Sequence, residues 1–125
     1  MQVPEFLLRR LYVKGSLRNT HNGFAFDLRN SLGAGYAERV LPLSVDGDGI
    51  ALEAARFVVD GMVTPFAEIS SDAPFTLAMD GLVSVEVEGR ALPDGKHRIG
   101  VGFIVTGMGE MRFEVTDVVG EPVDA

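Results

Sequence analysis

Two residues of this sequence are suited to acid–base chemistry near neutral pH, the histidines His21 and His97. A histidine in this pH range can act as a proton shuttle or as a metal ligand. His21 lies just before an Asn-Gly pair, which is typical of a hairpin loop, so we expect an exposed turn residue. His97 follows the turn signal at residues 93–95 and opens a strand, where a hydrogen bond to a nearby backbone group is the expected role. Neither histidine has the spacing of a known metal or catalytic motif.

Two pairs of carboxylates could also bind a cation or transfer a proton. Asp46 and Asp48 precede Gly49 as in the first half of a calcium loop, but the later oxygen ligands of such a loop are missing. A tight acidic turn is therefore expected at this position. Glu86 and Glu88 alternate with valines and share one side of a strand, which favours a solvated outer face over an acid–base pair.

The composition excludes several other kinds of chemistry. The chain has no cysteine, so thiolate nucleophiles and zinc sites built on sulfur are excluded. The G-x-G fragments at residues 33–35 and 107–109 lack the third glycine and the helix of a dinucleotide-binding loop. With 18 acids against 11 scattered bases the net charge is −7, which disfavours a nucleic-acid partner. We therefore predict no catalytic, cofactor-binding or metal-binding residue in this chain.

The elements that would hold these residues are strands, because apolar residues recur with a period of two. One example is the valine run at residues 83–87, which is interrupted by polar residues, and similar sets occur at 24–28, 41–45, 99–105 and 111–115. Asn-Gly, Asp-Gly and Pro-Asp-Gly turn signals separate the sets. The pattern predicts an all-β protein of about eight or nine strands, an antiparallel β-sandwich of jelly-roll or immunoglobulin-like connectivity. A small closed barrel is the alternative.

The length of 125 residues suits one domain, and we predict a single β-sandwich domain over residues 1–125 with a frayed tail from residue 120. The only helical piece expected is one turn between Thr64 and Ser70. No apolar run reaches the length of about 20 residues that spans a bilayer. The N-terminus does not have the pattern of a signal peptide, so a cytoplasmic protein without membrane partners is expected.

The first segment departs from the in/out alternation of the other strands. As a strand it would be apolar on both faces, with residues 7, 11, 13 and 17 on one side and residues 6, 8 and 12 on the other. Such a strand is either covered by a second layer or packs against another chain. The pattern therefore indicates a candidate partner interface, which consists of Phe6, Leu8, Tyr12 and Tyr36.

Three segments together resemble a known family: Gly23–Asn30 (GFAFDLRN), Leu43–Gly47 (LSVDG) and Leu92–Ile99 (LPDGKHRI). In this order and spacing they resemble the small β-subunit family of C-glycoside deglycosidases. The resemblance implies a β-sandwich subunit that binds a larger, metal-dependent, sugar-isomerase-like barrel, with the metal and the catalytic base on the partner. Some small chains of this type carry a hydroxymethylglutaryl-CoA reductase label. We do not carry that activity over, because the sequence has neither a nucleotide loop nor a catalytic set for it.

Three functional hypotheses follow. The first is a non-catalytic accessory subunit, which forms a hetero-oligomer with the barrel or a homo-oligomer in its absence. The second is a self-sufficient module that binds a carbohydrate or another small molecule, with the loop Ser31–Tyr36 supplying contacts. Sugar-binding surfaces usually carry exposed aromatic rings, so the lack of tryptophan and the presence of only two tyrosines argue against a carbohydrate ligand. The third is an enzyme in its own right, for which no carboxylate pair is convincingly spaced.

Overall fold

A computed structural model describes residues 3–120, in which the chain forms two antiparallel sheets that pack face to face. The predicted β-sandwich is confirmed, and the closed barrel is wrong because the two sheets remain separate. The described residues form eleven strands rather than eight or nine, since two-residue strands such as Arg18–Asn19 and Asp48–Gly49 are too short to show alternation in the sequence. The strands are β1 (Arg18–Asn19), β2 (Gly23–Arg29), β3 (Gly35–Val40), β4 (Ser44–Val45), β5 (Asp48–Gly49), β6 (Ala55–Val59), β7 (Met62–Pro65), β8 (Phe75–Leu77), β9 (Leu82–Glu88), β10 (Lys96–Val105) and β11 (Gly109–Val118).

The two sheets are built around their central strands. The five-stranded sheet has the order β1-β2-β9-β6-β7. In the six-stranded sheet β10 is central: β11 pairs along one edge of β10, and β4 and β3 pair one after the other along its opposite edge. β5 pairs with β4, and β8 pairs with β3. β10 and β11 pair along their whole length, from Lys96 opposite Val118 to Val105 opposite Gly109. The strand predicted at residues 41–45 is confirmed only at β4, because residues 41–43 connect β3 to β4 along the same edge of β10.

The core lies between the sheets and contains the apolar residues that the alternation identified. In the five-stranded sheet the inward side chains include Phe24, Phe26 and Val85, which are fully buried. In the six-stranded sheet Ile99 is fully buried and Phe113 nearly so. Because these side chains face one another across the sandwich, their burial removes apolar surface from water and stabilises the fold.

The first segment is helical, and the prediction of a strand there is wrong. A short helix α1 (Glu5–Leu8) follows Pro4 and continues into a 3-10 turn (Arg9–Leu11). Leu8, Leu11 and Tyr12 are spaced i, i+3 and i+4, so one helical side buries all three of them. Leu8 and Tyr12, which would lie on one face of a strand, and Leu11, which would lie on the other, are therefore buried together, whereas Phe6 is exposed.

This helical segment covers the outer edge of β11, which pairs with β10 alone among the described strands. Arg9 Nε donates to the Glu114 carbonyl at 3.0 Å, and the Glu114 amide donates to Glu5 Oε2 at 3.2 Å. Glu5 and Arg9 also form an ion pair with each other at 3.1 Å. Their side chains thus occupy a donor and an acceptor that would otherwise be open to pairing with another chain.

The connections follow the turn chemistry of the sequence. Gly95 has φ +112°, a conformation that residues with a Cβ adopt only with strain, and Asp60-Gly61 has positive φ at both residues as a type I′ hairpin requires. The helical turn expected between residues 64 and 70 is the 3-10 turn Phe66–Glu68, but it is not the only helical piece as predicted, because the first segment is helical and a further 3-10 turn lies at Leu52–Ala54. Within residues 3–120 no helix has the length and apolar character needed to cross a membrane. Of the tail predicted to fray from residue 120, residues 121–125 lie outside the described part of the chain, and the Gly120 amide donates to the Leu17 carbonyl at 2.8 Å.

Candidate functional site

The most distinctive concave feature is a cavity of about 190 Å³ between the two sheets at one end of the sandwich. The five-stranded sheet contributes Leu28, Phe57 and Val83 to its wall, and the six-stranded sheet contributes Ala37 and Phe103. Leu28 and Val83 are directly opposite each other on β2 and β9. The N-terminal segment closes one side with residues 3, 8 and 11. The cavity is therefore assembled from distant parts of the chain.

The mouth of the cavity is framed by loops. Leu32 and Met108 both line the cavity and are 39% and 46% exposed to solvent, so they mark the opening. Leu32 belongs to the loop between β2 and β3, and Met108 to the hairpin between β10 and β11. The turn at residues 78–81 contributes Ala78 and Gly81. The side chains on both sides of the opening are therefore apolar.

Asn30 is the polar side chain in the cavity wall, and its hydrogen bonds are used to hold the loop. Its Nδ2 donates to the carbonyls of Gly33 at 2.7 Å and Leu77 at 3.1 Å. Its Oδ1 accepts from the amides of Leu32 at 3.2 Å and Gly33 at 3.3 Å. Since both donors and both acceptor positions of the amide are engaged, Asn30 positions the mouth rather than offering a polar contact to a ligand.

Exposed apolar side chains cluster at the same end of the sandwich. Leu82 is opposite Arg29 at the ends of β9 and β2, and Met62 is opposite Val59 at the β6–β7 hairpin. The amide of Thr106 donates to the carbonyl of Tyr36 beside the mouth. Nine large apolar side chains of residues 3–120 are exposed, and six of them lie on strands, turns and loops at the end of the sandwich where the cavity opens, which we call the apolar end: Leu32, Tyr36, Met62, Met79, Leu82 and Met108.

The residues of the candidate partner interface divide into two groups. Phe6 and Tyr36 are 63% and 56% exposed and lie on the surface. Leu8 and Tyr12 are buried within the chain, because the helical segment turns them toward the sheets. The structure therefore does not bring the four residues together on one surface, and only Phe6 and Tyr36 are accessible to another protein.

Tyr12 instead forms a buried pair with Asp117, a residue that the sequence reasoning missed. The Tyr12 hydroxyl donates to Asp117 Oδ2 at 2.6 Å, and the Gly15 amide donates to the same oxygen at 2.9 Å. Burial, followed by the hydrogen bond to the carboxylate, raises the pKa of Tyr12. Burial opposes ionisation of Asp117, but hydrogen bonds from Tyr12 and from the Val118, Gly15 and Leu17 amides outweigh it and lower the pKa of Asp117. The sequence did contain a signal for this residue, because continuing the alternation of residues 111, 113 and 115 places Asp117 at an inward-facing position.

His97 has the backbone contact that the sequence predicts, and a second partner that it did not identify. Its Nε2 lies 2.7 Å from the Pro93 carbonyl and its Nδ1 lies 2.7 Å from Asp46 Oδ2. The hydrogen bond to Asp46, followed by that to Pro93, raises the pKa of His97 against the opposing effect of burial. The Arg98 amide and then His97 lower the pKa of Asp46. Both ring nitrogens are therefore engaged within the chain, and the buried ring links the start of β10 to the turn after β4.

The remaining candidates have structural roles. His21 is exposed in a loop, as expected. Glu86 and Glu88 form ion pairs with Arg56 on the neighbouring strand, in agreement with a solvated outer face. Asp48 lies 3.7 Å from Arg90, and no group of three potential metal ligands occurs within residues 3–120. The first G-x-G fragment lines the cavity, and the second forms the turn between β10 and β11.

The fold and this site define an antiparallel β-sandwich with an apolar cavity that opens at one end. The chain matches the family described as hydroxymethylglutaryl-CoA reductase, N-terminal domain, over residues 7–120, and it belongs to this family. No curated protein matches the chain. The match does not confirm the C-glycoside deglycosidase β-subunit family, but it agrees with the reductase label carried by small chains of that type.

Proposed function

We propose that this protein is a non-catalytic accessory subunit that binds a larger catalytic chain through the apolar end. The observation that carries the proposal is that six exposed apolar side chains lie at the end of the sandwich where the cavity opens, two of which, Leu32 and Met108, line the cavity itself. Scattered apolar residues are normal on a protein surface, whereas apolar residues gathered in one place mark interaction sites. Burial of the apolar end against a partner would remove its side chains from water.

The composition of the apolar end suits protein association. Three of its six residues are methionines, Met62, Met79 and Met108, whose unbranched side chains adapt to the shape of a partner. Tyr36 adds an aromatic ring with a polar tip, a residue type enriched in interfaces. Phe6, on α1, lies outside the apolar end; together with Tyr36 it is one of the two accessible residues of the candidate partner interface.

The description of the family supports an accessory role, because it names the N-terminal domain of a reductase and hence one part of a larger enzyme. For the partner we propose the larger, metal-dependent, sugar-isomerase-like barrel of the C-glycoside deglycosidase resemblance, acting in the cytoplasm. The metal and the catalytic base would belong to that chain, and this protein would shape or stabilise its active site. The catalytic chain of a reductase is the alternative partner.

Co-purification tests the proposal most directly. The protein is co-expressed with a barrel protein encoded next to it, and complex formation is measured by size-exclusion chromatography. We expect the double variant Tyr36→Glu, Met79→Glu to lose the complex, because two charges at the apolar end would lose hydration on docking. Val118→Glu is the matched control, since Val118 is exposed but lies at the opposite end of β11. If the double variant binds as well as the control, the apolar end is not the contact surface.

Activity separates the accessory role from an enzyme acting alone. We expect the purified chain to show no turnover of a C-glycoside, and turnover to arise when the barrel chain is added. Turnover of a glycoside or a nicotinamide cofactor by the chain without a partner would contradict the accessory role.

A further inference from the structure

We infer that the cavity between the sheets is a binding site for a neutral hydrocarbon group of about six to eight carbon atoms. The inference concerns the wall of the cavity and does not depend on the proposed accessory role. It gives a ligand class to the small-molecule hypothesis of the sequence, in which the loop Ser31–Tyr36 supplies contacts. Leu32, Ala34 and Gly35 of this loop line the cavity.

The size of the cavity sets the size of the ligand. An engineered protein cavity of about 150 Å³ holds a molecule of benzene, which has six carbon atoms. The cavity in this protein has a volume of about 190 Å³. It is therefore large enough for a benzene-sized ring or for a short aliphatic chain with a few more atoms. It is too small for a disaccharide or a nucleotide.

The chemistry of the wall sets the class of the ligand. The lining side chains are aliphatic, aromatic or methionine, with the exception of Asn30, and none of them is ionisable. The Asn30 amide is engaged in four hydrogen bonds, three within its own loop and one to the Leu77 carbonyl of β8. A sugar or an ion that entered the cavity would lose its hydration without gaining hydrogen bonds in return. A hydrocarbon loses nothing of this kind and gains contacts with the wall.

The ligand can reach the cavity from solvent. Leu32 and Met108 line it and are also partly exposed, so the route passes between two loops and not through the packed core. Met111 lies deeper in the wall and is buried. The two methionines therefore report on the mouth and the interior of the same cavity.

Methionine methyl NMR provides the test. The full chain, labelled with [13C-methyl]methionine, is titrated with toluene as the probe. We expect saturable chemical-shift changes at Met108 and Met111, because an aromatic ring in the cavity shifts nearby methyl resonances. Met62 is the internal control, since it is exposed but does not line the cavity. The absence of a shift at Met111, or equal shifts at Met62 and Met111, would overturn the proposal.

Two substitutions that occupy the cavity test its location. Ala37→Leu adds volume inside the wall, and Ala34→Leu adds it at an exposed lining position where overpacking is less severe. We expect each change to weaken toluene binding at least tenfold. Ala51→Leu is the matched control, because Ala51 is exposed and lies outside the cavity wall. Unchanged toluene affinity in a folded Ala34→Leu or Ala37→Leu variant would contradict the assignment of the site.

A second titration distinguishes a free hydrocarbon from the apolar part of a larger molecule. The probes are n-hexane and octanoate, and glucose serves as the polar control. Binding of n-hexane alone supports a site for a free hydrocarbon, and binding of both probes supports a chain whose polar head remains outside the mouth. Binding of glucose in place of the two hydrocarbon probes would overturn the proposal.

Discussion

His97 and Asp46 lie 51 residues apart in the sequence and meet at 2.7 Å between Nδ1 and Oδ2. The other ring nitrogen of His97 faces the Pro93 carbonyl, so both nitrogens point at acceptor oxygens. A protonated imidazole can donate to both of them, whereas a neutral imidazole can donate to only one. The pair therefore joins the start of β10 to the turn after β4 in a manner that depends on protonation.

The first prediction concerns pH. Since the pKa of His97 is raised above its usual value of 6.5, its stabilising contribution is fully present below about pH 6.5 and is lost as the pH rises through the pKa of the folded state. We expect the melting temperature to fall between pH 6 and pH 9, and His97→Gln to reduce this fall. His21→Gln, at an exposed loop position, should retain the wild-type pH profile. Identical profiles for the two variants would contradict the role of His97.

The second prediction concerns the buried pair of Tyr12 and Asp117. Tyr12→Phe removes the hydroxyl that donates to the Asp117 carboxylate, and a hydrogen bond to a charged group contributes about 1.5–3 kcal/mol. We expect a loss of this size in the free energy of unfolding, measured by urea denaturation. Tyr36→Phe makes the same chemical change at an exposed position, and its effect should stay within about 0.5 kcal/mol. Equal effects at the two positions would mean that the pair adds no stability.

The third prediction concerns the turn before β10. Gly95 has φ +112° and a Cβ placed there would meet no atom within 4 Å, so Gly95→Val introduces backbone strain without a clash. We expect a cost of more than about 1 kcal/mol and a lower melting temperature. Gly49 also has open space around it but lacks a positive φ, so Gly49→Val is the control. A melting temperature unchanged by Gly95→Val would contradict the turn conformation.

The fourth prediction tests the register of β11. Phe113 is buried and Thr116 on the same strand is exposed, because their side chains point to opposite faces. Phe113→Asp places an unpaired charge in the core at a cost of several kcal/mol, against a total stability of about 5–15 kcal/mol. We expect loss of cooperative folding by circular dichroism, and the same result for Val101→Asp. Thr116→Asp should fold normally, and a folded Phe113→Asp variant would refute the register.

The outcome for individual residues shows how far sequence reasoning reached. The inward positions of β9, β10 and β11, the outer face at Glu86 and Glu88, and the turn at residues 93–95 agree with the expectations. The first segment was assigned wrongly, since the spacing of Leu8, Leu11 and Tyr12 suits one face of a helix as well as alternate faces of a strand. A short apolar run does not by itself distinguish these two structures.

The sequence alone determined the all-β architecture, because alternation and turn chemistry act over a few residues and do not require knowledge of the partner strand. Only the tertiary structure decided which distant residues meet. Tyr12 and Asp117 are 105 residues apart, and their hydrogen bond depends on how the helical segment lies along β11. The cavity likewise has no local signature. Its volume depends on the separation of the two sheets at one end of the sandwich, a quantity set by the packing of the whole core.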